Sequence, residues 1–308
     1  MKEFEVAVIG GGPAGLTAAL YLLRARRKIV LIEKLSPGGQ VLLTEKIENY
    51  PGFPNGIAGF ELADAFAKQV DLYNPEKIFG EVKSLKIGDN FHTVELEEEE
   101  IKAKAIVIAS GARWRKLGVP GEQEFAGKGV SYCAVCDGNF FRDQVVACIG
   151  GGDTALEESL YLSKIVKKIY LIHRRDKFRG TKIYQEKVLA NPKIEVLWDT
   201  VVTEFKGEKE LQAVGLKNVK TGENKVLNVN GAFVFIGVEP NTDFLPSEIK
   251  KDERGFVFTD SEMRTNIPGI FAAGDIRAKL CRQVSTAVGD GACAGFNASS
   301  YLEQLNDE

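Results

Sequence analysis

The chain has 308 residues, 44% of them hydrophobic and 27% charged, and its 40 basic and 43 acidic side chains leave a net charge of −3. That near balance argues against a nucleic-acid binder, the length suggests two domains, and no apolar run approaches the roughly 18 residues of a membrane span. The opening Met1-Lys2-Glu3-Phe4-Glu5 is acidic, and the apolar run Val6 to Ile9 after it is too short for a signal peptide, so a cytoplasmic location with no membrane association is expected.

Val6-Ala7-Val8-Ile9 leads into Gly10-x-Gly12-x-x-Gly15 and an apolar-periodic stretch from Leu16 to Leu23. This reads as strand, tight turn and helix. Such a turn lets backbone approach a pyrophosphate, which the helix N-terminus then binds. The next apolar run, Ile29 to Ile32, ends in Glu33, where an acid binds ribose hydroxyls and repels a 2′-phosphate. From Gly80 the pattern alternates (Val82, Leu85, Ile87, Phe91, Val94, Leu96) and returns to the run Ala105 to Ala109, which reads as a β-meander closing on a buried strand. Glu97 to Glu100 then forms a solvated hairpin tip. Glycine and proline mark joints at Gly111 to Pro120 and Gly237 to Pro246.

Cys133-Ala134-Val135-Cys136-Asp137-Gly138 follows. Two cysteines at this spacing form a reducible disulfide and often lower one thiol pKa, and Asp137 is placed to give a proton to a leaving thiolate, or else to make an Asp-Gly turn. Half a zinc site is the competing reading, but zinc wants four ligands and the chain has no second Cys-x-x-Cys and two histidines in all, His92 and His173; no metal is expected. Cys148, Cys281 and Cys293, in apolar or small-residue contexts, read as small buried residues.

Fourteen residues after Cys136 the fingerprint recurs. Val145 to Ile149 precedes Gly150-x-Gly152-x-x-Ala155, and a second periodic stretch runs through Leu162. Residues 194–237 again alternate and end in a buried run, Ala232 to Ile236. At the place that corresponds to Glu33 this copy has His173-Arg174-Arg175, with Arg179 close behind. Guanidinium forks suit phosphate, so this copy selects NADP. The first copy suits FAD. The expected fold class is α/β, with two tandem Rossmann-like dinucleotide-binding domains.

Taken together these motifs resemble the low-molecular-weight, bacterial-type thioredoxin reductases over essentially the whole chain. The resemblance rests on Gly10 to Gly15, Gly38-Gly39-Gln40, Glu48-Asn49-Tyr50-Pro51-Gly52, Cys133 to Gly138, Gly150 to Glu158, His173-Arg174-Arg175, Gly269 to Asp275 and Arg282-Gln283. It implies that the second domain is inserted into the first, with a FAD domain of residues 1–114 and 244–308 and an NADPH domain of residues 115–243. It implies FAD contacts from Gly10, Gly12, Pro13, Ala14, Gly15, Glu33, Gly39, Gln40, Asn49, Val82, Gly111, Gly274, Asp275, Arg282, Gln283 and Val284. NADPH contacts would come from Gly150, Gly152, Asp153, Thr154, His173, Arg174, Arg175 and Arg179. Asp153 and Val135 stand where the family often has Asn and Thr.

The family pattern further implies a homodimer in which NADPH reduces FAD, FAD reduces the Cys133–Cys136 disulfide, and Cys133 attacks thioredoxin or a thioredoxin-like protein while Cys136 resolves the mixed disulfide. Asp137 matches the family's acid. The inserted domain is expected to rotate about the two joints. A dithiol oxidase on the same scaffold would not need the basic cluster, and a non-enzymatic flavin redox sensor is the alternative from another class.

Overall fold

The computed structural model describes residues 2–44, 46–47 and 49–307; Glu48 of the Glu48 to Gly52 motif lies outside them. Along the chain run β1 (Lys2–Ile9), α1 (Pro13–Arg24), β2 (Ile29–Glu33), α2 (Gly59–Asp71), β3 (Glu76–Phe79), β4 (Ser84–Lys86), β5 (His92–Glu95), β6 (Glu100–Ile108) and β7 (Ala112–Trp114). Next come β8 (Val130–Ser131), α3 (Ala134–Asp137), β9 (Val145–Gly150), α4 (Asp153–Leu162), β10 (Lys168–Ile172), α5 (Lys182–Leu189), β11 (Ile194–Leu197), β12 (Thr200–Gly207), β13 (Leu211–Asn218), β14 (Asn224–Asn228) and β15 (Gly231–Phe235). β16 (Val238–Pro240), β17 (Ile270–Ala272) and α6 (Val284–Asp307) complete the order. No helix among the described residues is long and apolar enough to cross a membrane.

The chain forms two compact units, Met1–Arg113 with Glu239–Glu308, and Trp114–Val238. The second is therefore inserted into the first. The stretch after β16 belongs to the first unit because Asn241 is tied there: its N–H donates to Gly111 O at 3.0 Å and its Nδ2 to Ser110 O at 2.8 Å.

The first unit is built on a sheet of order β3-β2-β1-β6, all parallel. β6 serves two partners along one edge. Its first half pairs antiparallel with β5 (His92 opposite Ala103), and its last three residues pair parallel with β17 (Ile106 opposite Ile270). β4 closes the meander on β5. Val6, Val8, Leu31 and Val107 face one side, under α1 and α6; Ala7, Ile9, Val30, Ile32 and Ile106 face the other. Both faces are covered toward the carboxyl ends, which is why Val6–Ile9, Ile29–Ile32 and Ala105–Ile108 are unbroken apolar runs. Each fully buried branched side chain is worth about 1.5–3 kcal/mol.

The second unit repeats the plan in the order β11-β10-β9-β15-β8, parallel throughout, beside a separate antiparallel sheet β12-β13-β14. The two plans differ in where the fifth strand comes from. β17 is supplied by chain that follows the meander, whereas β8 precedes its fingerprint. β8 thus delivers the residues that follow it, from Tyr132 on, to the carboxyl edge of the parallel sheet.

Candidate functional site

In the first unit every turn at the carboxyl ends of β1, β2, β6 and β17 carries residues singled out in the sequence, which is where open α/β sheets bind ligands. Gly10 has φ of +106°, and a Cβ on Gly15 would lie 1.8 Å from Gly10 O. The turn is therefore tight because both positions lack side chains. Gly12 precedes α1 with no side-chain cap and with Pro13 in the first turn, and a Cβ there would meet nothing within 4 Å. The N-terminal amides are left free to face an anion.

Glu33 Oε2 accepts from Gly11 N–H at 2.7 Å and Oε1 from Leu35 N–H at 3.0 Å, which fixes the carboxylate beside the fingerprint. Gly38 N–H donates to Gly11 O at 2.7 Å, and a Cβ on Gly39 would lie 3.4 Å from Gly12 Cα, so the Gly38–Gln40 turn is seated on the fingerprint. Gln40 Nε2 donates to Ala112 O, just past Gly111, which has φ of +70°. Val82 is half-buried in the loop after β3, where Gly80 N–H donates to Glu33 O at 2.9 Å.

The last turn comes from the C-terminal part of the unit. A Cβ on Gly274 would sit 2.8 Å from Ala14 Cβ, so the short turn Gly274–Ile276 lies against the start of α1. Asp275 follows. Its Oδ1 is buried without a hydrogen-bond partner, and burial pushes its carboxyl above the ordinary range, opposed by Lys279 and Arg282. Asn49 Nδ2 donates to Gln283 Oε1 at 3.0 Å across 234 residues of sequence, and Val284 opens α6. Arg282 lies 4.0 Å over the Phe256 ring and donates to Asp275 O and Arg277 O; burial lowers its pKa. An orphaned carboxylate oxygen, free helix amides and an open cradle over Gly12 fit the ribityl hydroxyls and pyrophosphate of FAD.

In the second unit α4 also begins uncapped after Gly152, with nothing within 4 Å of a Cβ there. Gly150 precedes the turn with φ of +155°. The backbone amides of Arg179 and Gly180 return to Gly151 O at 2.8 and 3.2 Å. Arg174, Arg175 and Arg179 are exposed around this turn, as is Thr154. Asp153 does not reach inward; its Oδ1 accepts from Thr181 N–H at 2.6 Å. This surface fits the pyrophosphate and 2′-phosphate of NADPH.

His173 behaves differently from the arginines beside it. It is buried, and its ring nitrogens lie 3.0 Å from Gly150 O and 3.0 Å from Lys177 O, against Phe178 and Trp198. Burial lowers its pKa. A Cβ on Gly151 would lie 2.2 Å from the ring. The imidazole holds the fingerprint to the basic loop, and the arginines alone point to solvent.

Cys133 and Cys136 are joined by a disulfide, Cα to Cα 5.3 Å. They flank the single turn α3 at the end of β8. Cys136 N–H points at Cys133 Sγ at 3.2 Å, and Asp137 N–H at Cys133 O at 3.1 Å. Ser131, buried, donates from Oγ to Asp137 Oδ2 at 2.6 Å and accepts from Cys133 N–H at 3.1 Å. One hydroxyl thus ties the first cysteine to the carboxyl four residues beyond it in the turn.

Several supporting residues carry no signal in the sequence. Glu122 is 1% exposed. It accepts from the amides of Leu117 and Gly118 and from Tyr132 OH at 2.7–2.9 Å; burial and this carboxylate push the Tyr132 phenol well up, and Tyr132 stacks on Trp114. Asp290, in the second turn of α6, binds Arg277 at 2.7 Å, Lys279 at 2.8 Å and Gly274 N–H at 3.1 Å. The partners of Glu122 and Asp290 lie 4 to 16 residues from them in the chain, but these carboxylates belong to no recognisable motif and only burial gives them their role. Of the three other cysteines, Cys148 is buried, with its thiol pushed up to about 12 by burial, and Cys293 is half-buried. Cys281 corrects the sequence reading: it is exposed, because it lies outside regular structure between the Gly274–Ile276 turn and α6, next to a fully exposed Leu280.

A profile described as pyridine nucleotide-disulphide oxidoreductase matches residues 4–291. The chain is 44% identical over 307 residues to a thioredoxin reductase of Listeria innocua, covering 99% of this chain and 96% of that one. It is 45% identical over 305 residues to a thioredoxin reductase of Treponema pallidum, covering 99% of each. Among solved structures, a thioredoxin reductase from Streptococcus pyogenes superposes with a TM-score of 0.93 at 45% identity, over 98% of this chain and 99% of that one. The chain belongs to the pyridine nucleotide-disulphide oxidoreductase family, in its low-molecular-weight thioredoxin reductase branch. As members of that family do, it uses FAD and NADPH and is an oxidoreductase.

Proposed function

We propose that the chain carries electrons from NADPH through FAD and the Cys133–Cys136 disulfide to the disulfide of thioredoxin or a thioredoxin-like protein. The disulfide held over a one-turn helix, beside a carboxyl that a buried hydroxyl positions, is the observation that carries this reading. The FAD domain, expected at residues 1–114 and 244–308, is assigned to the unit Met1–Arg113 with Glu239–Glu308, and the NADPH domain, expected at 115–243, to the unit Trp114–Val238. Gly10, Gly12, Pro13, Ala14, Gly15 and Glu33 hold the adenosine diphosphate end of FAD; Asp275 accepts from its ribityl chain. Gly39, Gln40, Asn49, Val82, Gly111, Gly274, Arg282, Gln283 and Val284 complete that site. Gly150, Gly152, Asp153 and Thr154 receive the NADPH pyrophosphate, and Arg174, Arg175 and Arg179 its 2′-phosphate, with His173 bracing the loop.

FAD held by these residues would supply to sulfur, as an electron pair, what NADPH gives up as hydride. The pair breaks the S–S bond, and Asp137 gives a proton to one of the two sulfurs. Cys133 thiolate then attacks the partner's disulfide, and Cys136 attacks Cys133 of the mixed disulfide to release the partner as a dithiol. The exposed arginines disfavour a dithiol oxidase, which has no use for a 2′-phosphate site. We further place the protein in the cytoplasm as a homodimer. The free thiols suit a reducing compartment, and an exposed Phe296 on α6 (64%) suits an apolar contact between copies. Anaerobic NADPH should bleach the flavin, and oxidised thioredoxin should restore its colour; colour restored equally well with Cys133→Ser would overturn the proposal.

A further inference from the structure

Glu158 lies on α4, which packs against the dithiol turn α3. Its carboxyl accepts from the backbone N–H of Ala134, the residue that follows Cys133 inside the Cys-x-x-Cys loop. Its Oε2 is buried and has no hydrogen-bond partner. A Cβ on Gly138, at the end of the same turn, would press within 2.9 Å of Leu162 on α4, so the turn and the helix meet closely on this face. Asp137 is engaged by Ser131; Glu158 is a separate carboxyl on the α4 side of the turn.

A buried carboxylate with one donor and one orphaned oxygen is poorly stabilised as an anion. Burial is the largest cause of the upward shift in the Glu158 pKa, and Glu157 on the same helix adds to it; the Ala134 amide opposes both. On β9 beneath, Cys148 is held as a neutral thiol and brings no compensating charge. In the dithiol turn itself the disulfide is uncharged. Reduction changes that, because a thiolate on Cys133, four bonds from the Ala134 nitrogen, is a new like charge near a carboxyl that burial already biases toward its acid form.

We propose that Glu158 is a redox-linked proton acceptor for the dithiol, taking a proton from solvent when the Cys133–Cys136 bond is reduced and returning it when the bond re-forms. The inference rests on the reading above that this pair cycles. The step balances. Two electrons from the flavin break the S–S bond; Asp137 protonates one sulfur and the other stays a thiolate; the solvent proton converts the Glu158 carboxylate to the acid. When the partner's disulfide takes the electrons, the Cys133–Cys136 bond closes and Glu158 gives its proton back.

The test is an equilibrium with dithiothreitol across about pH 5 to 8.5, the range over which a buried glutamate titrates. The fraction of Cys133–Cys136 reduced is read by alkylation and mass spectrometry, without NADPH. Glu158→Gln keeps an acceptor for Ala134 but takes no proton. Each linked proton changes the reduction constant tenfold per pH unit, so the ratio of wild-type to Glu158→Gln constants should fall by up to tenfold per unit within the window. A ratio that does not change with pH overturns the proposal. Difference infrared spectra of the wild-type holoenzyme, dithiol minus disulfide, give a second test that needs no variant. Reduction should add the carbonyl stretch of a protonated carboxyl, which Asp137→Asn retains; a spectrum without that gain also overturns it. Failure of NADPH to reduce a pair that dithiothreitol does reduce would instead sink the electron-transfer reading and leave this one standing.

Discussion

Glu33 and His173 occupy the same place in the two halves, each 23 residues after the first glycine of its fingerprint, and each is fastened to its own glycine turn. Glu33 accepts from Gly11 N–H at 2.7 Å; His173 fills the space a side chain on Gly151 would need, 2.2 Å from that Cβ position. The duplicated scaffold therefore keeps a prop at this position and changes its chemistry. In the first half the prop is itself the acid that suits ribose. In the second it is a buried ring braced on two backbone carbonyls, which leaves the following arginines exposed for phosphate.

Gly151→Ala should push the His173 ring out of place and loosen the basic loop without removing a charge. Arg174→Ala and Arg175→Ala remove the charges directly. A hydrogen bond to a charged group contributes about 1.5–3 kcal/mol, and at these exposed positions the lower end applies, so each arginine variant should raise the KM for NADPH roughly tenfold and leave the KM for NADH nearly unchanged. Gly151→Ala should weaken both cofactors, since it disturbs the pyrophosphate turn as well. Steady-state assays with the two nucleotides in parallel check this; equal losses for NADPH and NADH in the arginine variants would remove the phosphate role.

Asp275 is strained in one sense and useful in another. Its Oδ1 is buried and accepts no hydrogen bond, with Lys279 Nζ 3.9 Å away, and its folded pKa is raised. A raised folded value means stability that is complete below the ordinary carboxyl range and declines as pH rises through the folded value. Asp275→Asn should therefore make the apoprotein more stable than wild type at neutral pH, with the advantage vanishing in acid. The same change should weaken FAD binding, because the ribityl hydroxyls lose a charged acceptor. Thermal unfolding of the apoprotein against pH, with FAD titrated by fluorescence quenching, tests both halves of the statement.

How much of this is legible in the sequence depends on whether a residue sits in a recognisable pattern or acquires its role only through burial. β1, β2, β6, β9, β10 and β15 declare themselves as apolar runs because parallel strands are buried on both faces, and both glycine turns follow at once. The dithiol and the arginines are legible for the same reason, since their spacing is local. Ser131, Glu122, Asp290 and Glu158 are not. Each is a common polar residue whose meaning comes only when folding sets it on a turn or buries it. Cys281 is the converse case: Leu280 beside it looks like core, but no element covers that loop.

Asp290 joins α6 to the turn that carries Asp275. Its carboxylate meets both Arg277 and Lys279, all three side chains being 12–14% exposed. Asp290→Ala would leave the nearly buried Arg277 without its carboxylate and Lys279 with only Asp275 at 3.9 Å, a change that costs about 3 kcal/mol, and would free the Gly274 amide. The thermal midpoint should drop by roughly 10 °C, with FAD lost more readily on gel filtration. Asp290→Asn, which keeps an acceptor for the amide, should lose less. If Asp290→Ala melts like wild type, the buried triad does not hold the turn.

Ser131 is the remaining handle on the redox centre, through its 2.6 Å bond to Asp137 and its acceptance of Cys133 N–H. A hydroxyl donating to a carboxylate favours the ionised form. Without it, Asp137 should keep its proton to higher pH and be held less firmly over the sulfurs. Ser131→Ala should leave NADPH-dependent bleaching of the flavin unchanged while slowing exchange with thioredoxin about tenfold, less than the roughly 100-fold or more that losing a general acid outright costs. The pH profile of that exchange step should move toward alkaline pH, and Ser131→Thr should restore it. Stopped-flow traces separate the two half-reactions. A slower Ser131→Ala enzyme with an unshifted profile would mean that the hydroxyl supports the turn's shape and not the acid.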